Sequence, residues 1–542
     1  MIHHRVTLAM IGVSMFVVCV QWPTQAAAGV NIDLGGVHVH VGDRDAAPPP
    51  PEAAGVEVLT RGPLNEAFAQ PVIFDQGAGF TINRKPPAPI EEMPPDQKPE
   101  GNHILWIPGY WSWDTDRSDF IWVSGCWRAA PPGTGWVPGY WAQVAAGYQW
   151  IAGFWTPDNT EEIEYLPAPP ATLEAGPQGA GSPDSIWIPG CWVRHEGRYA
   201  WRPGFWEAAR ADWVWVPSQY ACTPRGCIYV DGYWDYPLSR RGMAFLPIYC
   251  PASLYGQAGF EYSPDVVLDL DGLTLNLFIS PEHRHYYFGD YYGDAGFHPW
   301  YESRDHRDWY DPIFVHAQWK HHDDAKWFQG RQADYEHRRD DKSLRPARTY
   351  AAMQTQVAHM SEKDRKQVVF ARPMKEVVSD KATPYKFDKL DAKTRESTVA
   401  QAKQVHAYKD TRAQWESPAA APKPGPAPKE VTVPKEVVTP KEPANTLKEL
   451  PKEPAKEVAP PDKVQGPDHG AVAKEQPAVP DAGSQKVKIP KPPVTVREPV
   501  TDKALTPPPR PEQPKPDLTA QPKAPKADAP DRSKDKGASD KP

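Results

Sequence analysis

The sequence predicts a mainly β protein. It reads as two tandem blocks of short 14-residue β-repeats in an antiparallel, meander-like arrangement, with some helix around 312–416 and a long disordered C-terminal tail. Three observations predict this. A hexapeptide of Trp, two residues, Gly, one residue and Trp starts at Trp106, Trp122, Trp136, Trp150, Trp187 and Trp201, with weaker copies from Trp215 and Tyr229. Within each block the starts are 14 or 16 residues apart, and a fixed period marks a repeat architecture. After Trp415 the 542-residue chain has no further Phe, Tyr or Trp.

The first 28 residues read as a secretory signal. His3, His4 and Arg5 form a basic head, and Val6 to Val20 is an apolar run, shorter than the ~20 residues a bilayer requires. Small residues follow at Ala26 to Ala28, suited to cleavage before Gly29. The alternative is an uncleaved anchor; a lipoprotein is disfavoured because Val17 and Val18, not small residues, precede Cys19. No later run is apolar enough to span a membrane. The mature chain is therefore expected to be exported to the periplasm, cell envelope or cell surface, with no transmembrane helix. A net charge of −8 predicts no nucleic-acid partner.

Residues 29–47 hold a short β segment, in which Val37-His38-Val39-His40-Val41 alternates strictly. His38 and His40 share one face, which reads as a solvated face before it reads as a chelate. A Pro-rich connector, 48–102, opens with four prolines. Repeat block one spans 103–170, a linker 171–184, and block two 185–251. A 14-residue unit suits one strand plus a turn. Its fixed slots are aromatic or β-branched, and turn residues such as Glu196-Gly197 separate the strands.

The Pro-Gly inside the unit admits two accounts. Positive φ at Gly109 would make a bulge that returns Trp106 and Trp111 to one face. Alternatively, a type II turn over Ile107 to Tyr110 would make them cross-strand neighbours. The bulge is preferred, because type II turns splay tight hairpins. Residues 252–345 form an aromatic, His-rich α+β segment, and 346–417 a polar helical one. Residues 418–542, rich in Pro, Lys and Glu, cannot bury enough apolar area to offset ordering entropy.

The chemistry is sparse. No nucleophile elbow, zincin motif, phosphate-binding loop or dinucleotide fingerprint is present, so neither an enzyme nor a cofactor is expected. His283 with His285, or His321 with Asp323, have chelating spacings, though zinc needs three or four converging ligands. Removal of the signal leaves Cys126, Cys191, Cys222, Cys227 and Cys250. Cys222 and Cys227 flank four turn-forming residues and are candidates for a disulfide. Cys126 and Cys191 replace an aromatic and read as small buried hydrophobes. The tryptophans read mainly as core. On a second reading, an outward row of Trp111, Trp141, Trp155, Trp192 and Trp206 forms a glycan platform.

The repeat resembles a family of exported bacterial proteins named for W-x-x-G-x-W repeats, numerous in planctomycete-type bacteria. The matching residues are Trp106-IPGYW, Trp122-VSGCW, Trp136-VPGYW, Trp150-IAGFW, Trp187-IPGCW, Trp201-RPGFW and Tyr229-VDGYW; HYYFGDYYG (285–293) and VEVLTRGP (56–63) also look like its long form. The resemblance implies an envelope setting and carries over no catalytic residue. Trp215-VPSQY lacks the Gly and the second Trp, which puts that unit's geometry in question. The leading expectation is a non-enzymatic envelope scaffold or interaction surface, with cell-wall polysaccharide or other envelope proteins as partners. The alternatives are a glycan-binding module, and an exported metal binder or enzyme using residues 283–322.

Overall fold

A computed structural model describes residues 30–33, 37–41, 55–74, 79–417, 484–495 and 506–521. The signal read at 1–28 lies outside the described residues, as does most of the tail. The fold is mainly β, built of many short antiparallel strands.

The hexapeptides pair off, two to a ribbon. In the first ribbon, Ile104–Ile107 and Tyr110–Asp114 run out, and Asp119–Val123 and Cys126–Ala129 return. Trp106 faces Trp127, and Trp111 faces Trp122. Ile107 pairs with Cys126 and Tyr110 with Val123, so the same number of residues separates the paired positions on both sides. The register therefore runs unbroken through Pro108-Gly109 and Ser124-Gly125. Neither earlier account survives. A bulge needs an extra residue on one strand, and Gly109 is not among the residues with positive φ. A turn would have paired Trp106 with Trp111.

The same pattern recurs three times, with Trp136 facing Trp155 and Trp141 facing Trp150, then Trp187 facing Trp206 and Trp192 facing Trp201, then Trp215 facing Trp234 and Tyr220 facing Tyr229. The degenerate Trp215 unit thus keeps its register. Each facing pair meets edge to face or tilted, with ring centroids 5.0–5.6 Å apart. Such pairs contribute about 0.5–1.5 kcal/mol each beyond their area. The third ribbon turns at Glu196-Gly197, with φ of 49° and 78°, the double positive φ that suits a two-residue hairpin loop.

Other segments extend three of the ribbons. Gly242–Ala244 pairs with the returning edge of the first, and Val494–Thr495 with the second. Glu162–Leu166 joins the fourth ribbon to Gln485–Lys488. Two pieces of the tail are therefore built into sheets, where the composition had predicted disorder. The ladders of the third ribbon, Ser185–Ile188 with Phe205–Ala208 and Cys191–His195 with Arg198–Arg202, gain no further strand among the described residues.

The ribbons pack around a core in which Trp122, Trp136 and Trp215 are fully buried. Arg128 of the first ribbon binds both oxygens of Asp235 of the fourth, at 2.6 and 2.7 Å. The expected strand at Val37–Val41 is present and pairs with Glu261–Pro264. Helices occupy Pro312–Lys320, Trp327–Asp340, Tyr350–Ala358 and Ala392–Trp415. The last helix, N-capped by Asp391 on the Thr394 amide, lays Arg412 against the second ribbon. No described helix is long and apolar enough to cross a membrane.

Candidate functional site: the glycine crossings and the tryptophan cleft

At the centre of each ribbon two motifs cross, and the glycines are required there by close approach. A Cβ on Gly109 would lie 2.3 Å from the Val123 carbonyl oxygen and 2.6 Å from the Trp122 indole. Reciprocally, a Cβ on Gly125 would lie 2.5 Å from Trp106. The same exchange holds for Gly139 with Trp150, Gly153 with Trp136, Gly190 with Trp201 and Gly204 with Trp187. Each glycine floors the first indole of the partner motif.

With no side chain in the way, the glycine amides point at an acceptor, and the acceptor is a glutamate. In the first ribbon Gly109 and Gly125 donate to the two oxygens of Glu92 at 2.7 and 2.8 Å, and Trp122 Nε1 donates at 3.2 Å. In the second, Gly139, Gly153 and Trp150 Nε1 donate to Glu66 at 3.1, 3.2 and 3.2 Å. In the third, Gly190 and Trp187 Nε1 donate to Glu174 at 2.5 and 3.2 Å. The fourth has Ser218 where another motif has glycine, and the Gly232 amide donates to its hydroxyl at 3.0 Å.

Burial pushes the Glu66 and Glu92 carboxyls up to about 7, against the opposing pull of the amide and indole donors. Behind the second crossing, Arg412 Nη1 donates to the Pro138 and Ala152 carbonyls at 2.8 and 3.2 Å, and its Nε to Glu416 at 3.0 Å. Both charged side chains are fully buried.

In four motifs the second tryptophan points its N–H elsewhere, to an extended arm of chain, whereas that of Trp127 has no hydrogen-bond partner. Trp111 donates to Ala88 at 2.8 Å, Trp192 to Ala171 at 2.9 Å, Trp206 to Gln178 at 2.9 Å and Trp234 to Pro509 at 3.0 Å. Trp141 donates to the Trp111 carbonyl at 2.9 Å, stitching two ribbons together. Trp111, Trp141, Trp192 and Trp206, with Trp155, are the positions read as a glycan platform, and that reading needs correction. Trp111, Trp155 and Trp192 are buried and Trp141 is half-buried. Half-buried Trp206 lines an open cleft.

The cleft, of about 760 Å³, lies between the third ribbon and the helical segment. Trp187, Trp206, Trp309, Trp319 and Trp327 line it, together with His306 and His321.

The histidines predicted as ligands do not converge. His285 is buried, and the hydrogen-bond network assigns its tautomer: Nδ1 donates to the His283 carbonyl at 2.6 Å, and Nε2 accepts from Tyr110 at 3.1 Å. Burial holds it neutral, near 4, so its 3.5 Å approach to Glu66 is not an ion pair. His283 binds Ser280 at 2.8 Å and is likewise lowered by burial to about 4. His321 stacks on Trp327, and Asp323 is 94% exposed. The one metal-competent group among the described residues is His298, Glu302 and His306. The i, i+4, i+8 spacing over a 3₁₀ turn, Trp300–Arg304, was the signal missed.

Cys222 and Cys227 are joined in a disulfide across a hairpin. Cys126, Cys191 and Cys250 are free and buried, and burial raises all three thiols. None has the lowered pKa a nucleophile needs.

Fold and crossings together define a β-ribbon repeat protein. The WXXGXW repeat model, which holds two copies, matches residues 105–128, 136–156, 186–207 and 199–218. The first three matches coincide with the first three ribbons, so two copies of the motif make one folded unit. No curated protein and no solved structure matches the chain.

Proposed function

We propose that this is a non-enzymatic interaction scaffold of the cell envelope whose ribbons are receptors for extended, proline-rich chain. The observation that carries the reading is that every ribbon holds such an arm. KPPAPIEE (85–92) serves the first ribbon with Ala88 and Glu92. PAPPATLE (167–174) serves the third with Ala171 and Glu174. Pro492 and Val494 lie against the second. Pro509 and Arg510 hold the fourth, where Arg510 binds Asp231 at 2.7 Å and the Gly232 carbonyl at 2.6 Å. Indole N–H groups reading the carbonyls of a preformed proline-rich strand are a recurrent mode of peptide recognition. Export, read from the first 28 residues, belongs to the same proposal.

The test is a chain ending at residue 417, checked for folding by circular dichroism and titrated with a peptide of residues 506–521. The peptide is expected to bind it, and to bind the full chain far more weakly because the tethered arm competes at high effective concentration. No binding to the folded, shortened chain rejects the reading. A glycan reading survives only for the cleft at Trp206. It predicts that soluble polysaccharides shift the tryptophan emission of the full chain and that Trp206→Ala removes the shift.

A further inference from the structure

We propose that His298, Glu302 and His306 form a three-ligand site for a divalent ion of zinc type at the rim of the tryptophan cleft. His298 Nδ1 lies 3.3 Å and His306 Nε2 3.6 Å from the same oxygen, Oε2 of Glu302. All three ligand atoms fall within 4.8 Å of one another. Zinc bonds of about 2.0–2.1 Å to nitrogen and oxygen set tetrahedral ligand edges near ~3.4 Å, so two of the three edges are already at length.

The rings are held in place before any ion arrives. His306 stacks on Trp309 with centroids 3.7 Å apart, and His298 packs on the same indole at 4.9 Å. Trp309 is itself fixed by its N–H donating to Ser303 at 3.0 Å. The side chains are about one-third exposed, at 33%, 36% and 32%, so the site is reachable from solvent. Two imidazoles and one carboxylate suit zinc and its borderline neighbours, and disfavour calcium and magnesium, which take all-oxygen shells. Three protein ligands leave a coordination position open. Because His306 lines the cleft, a bound ion sits beside the indoles that wall it.

The test uses the full chain, stripped with a chelator and dialysed. It is titrated with zinc by calorimetry and with cobalt(II) by absorbance and tryptophan quenching. Saturable uptake of one equivalent is expected, with a tetrahedral cobalt spectrum and quenching of cleft tryptophans. His298→Ala and His306→Ala should each weaken uptake at least ~10-fold, with unchanged circular dichroism. The double variant His321→Ala, Asp323→Asn should bind like wild type. The proposal is overturned by unsaturable uptake, by uptake that both single variants retain, or by equal loss in the double variant.

Discussion

The first and fourth ribbons share a register; apart from Tyr220 and Tyr229 standing where the first has Trp111 and Trp122, they differ in what satisfies the crossing. In the first, two glycine amides and an indole surround the carboxylate of Glu92, imported from a segment outside the ribbon. In the fourth, one glycine is Ser218, and its own hydroxyl takes the Gly232 amide and a bond from Arg202 at 3.2 Å. Residue 218 thus supplies from within what Glu92 supplies from outside. The crossing is an unsatisfied pair of donors first and a packing site second, because a buried amide left without an acceptor costs about 1–3 kcal/mol. The fold permits two solutions, and the choice of Gly or Ser decides whether the crossing takes its acceptor from a second segment.

The strongest way to break the comparison is to fill a crossing. Gly139→Ala places a methyl 2.4 Å from Glu66 and 2.6 Å from Trp150. It is expected to cost about 3 kcal/mol or more, read by urea unfolding. Gly133→Ala, at a turn with φ 69° and nothing within 4 Å, should cost about 1 kcal/mol. Equal losses would show that the clash is not what selects glycine at the crossing.

Removing the charge behind a crossing comes close. Arg412→Met leaves Glu416 buried and two carbonyls unbonded, for an expected loss of about 3–5 kcal/mol. A loss confined to the first ribbon's hydrogen-exchange protection would contradict the geometry, since Arg412 serves the second.

The two solutions can be interchanged. Ser218→Gly removes the internal acceptor and should cost about 1–2 kcal/mol. Glu92→Gln keeps one acceptor but turns an amide N–H₂ toward a donor, and should cost about 2–3 kcal/mol. If Ser218→Gly is neutral, the hydroxyl is not the substitute for the carboxylate.

A pH series sharpens the contrast. Glu66 and Glu92 are raised to about 7 in the fold from an unfolded value near ~4.3. The native state therefore holds more protons between those limits, and the stability contributed by the two carboxyls falls as pH rises through that window. His283 and His285, lowered to about 4, act oppositely, contributing stability above ~6.5 that is lost as pH falls toward 4. The wild type minus Glu66→Gln/Glu92→Gln difference cancels the histidines. It should decline from pH 4.5 to 7 and then level off. A difference that grows with pH would reverse the assignment. The smallest expected effect is Arg510→Ala, which loses an exposed pair with Asp231 and a bond to the Gly232 carbonyl and should cost about 1 kcal/mol while loosening the arm on the fourth ribbon.

The strands were legible in sequence because aromatic and β-branched slots recur at fixed spacing. The Cys222–Cys227 bridge was legible because four turn residues separate the thiols. The role of glycine was misread. Its common use is positive φ, whereas here it admits an indole, and only the partner strand reveals that. The glutamates were missed for a related reason. Glu92 and Glu174 lie 17 and 16 residues before the glycines they bind, in segments that composition marks as linker. Their common form, an Ala-Pro stretch ending in Glu upstream of the motif, was the available clue. Glu66 carries no such signature, and the pieces of tail that order against the ribbons have too few apolar residues to announce themselves.

The arm on Trp234 comes from Pro509, 275 residues later in the chain. A ribosome adding roughly 5–20 residues per second exposes that indole tens of seconds before its partner exists, and closing so long a loop is entropically slow to be rewarded. The fourth ribbon therefore completes only after Pro509 has been made. Until then its donor faces open solvent, where a proline-rich segment of another chain can meet it first.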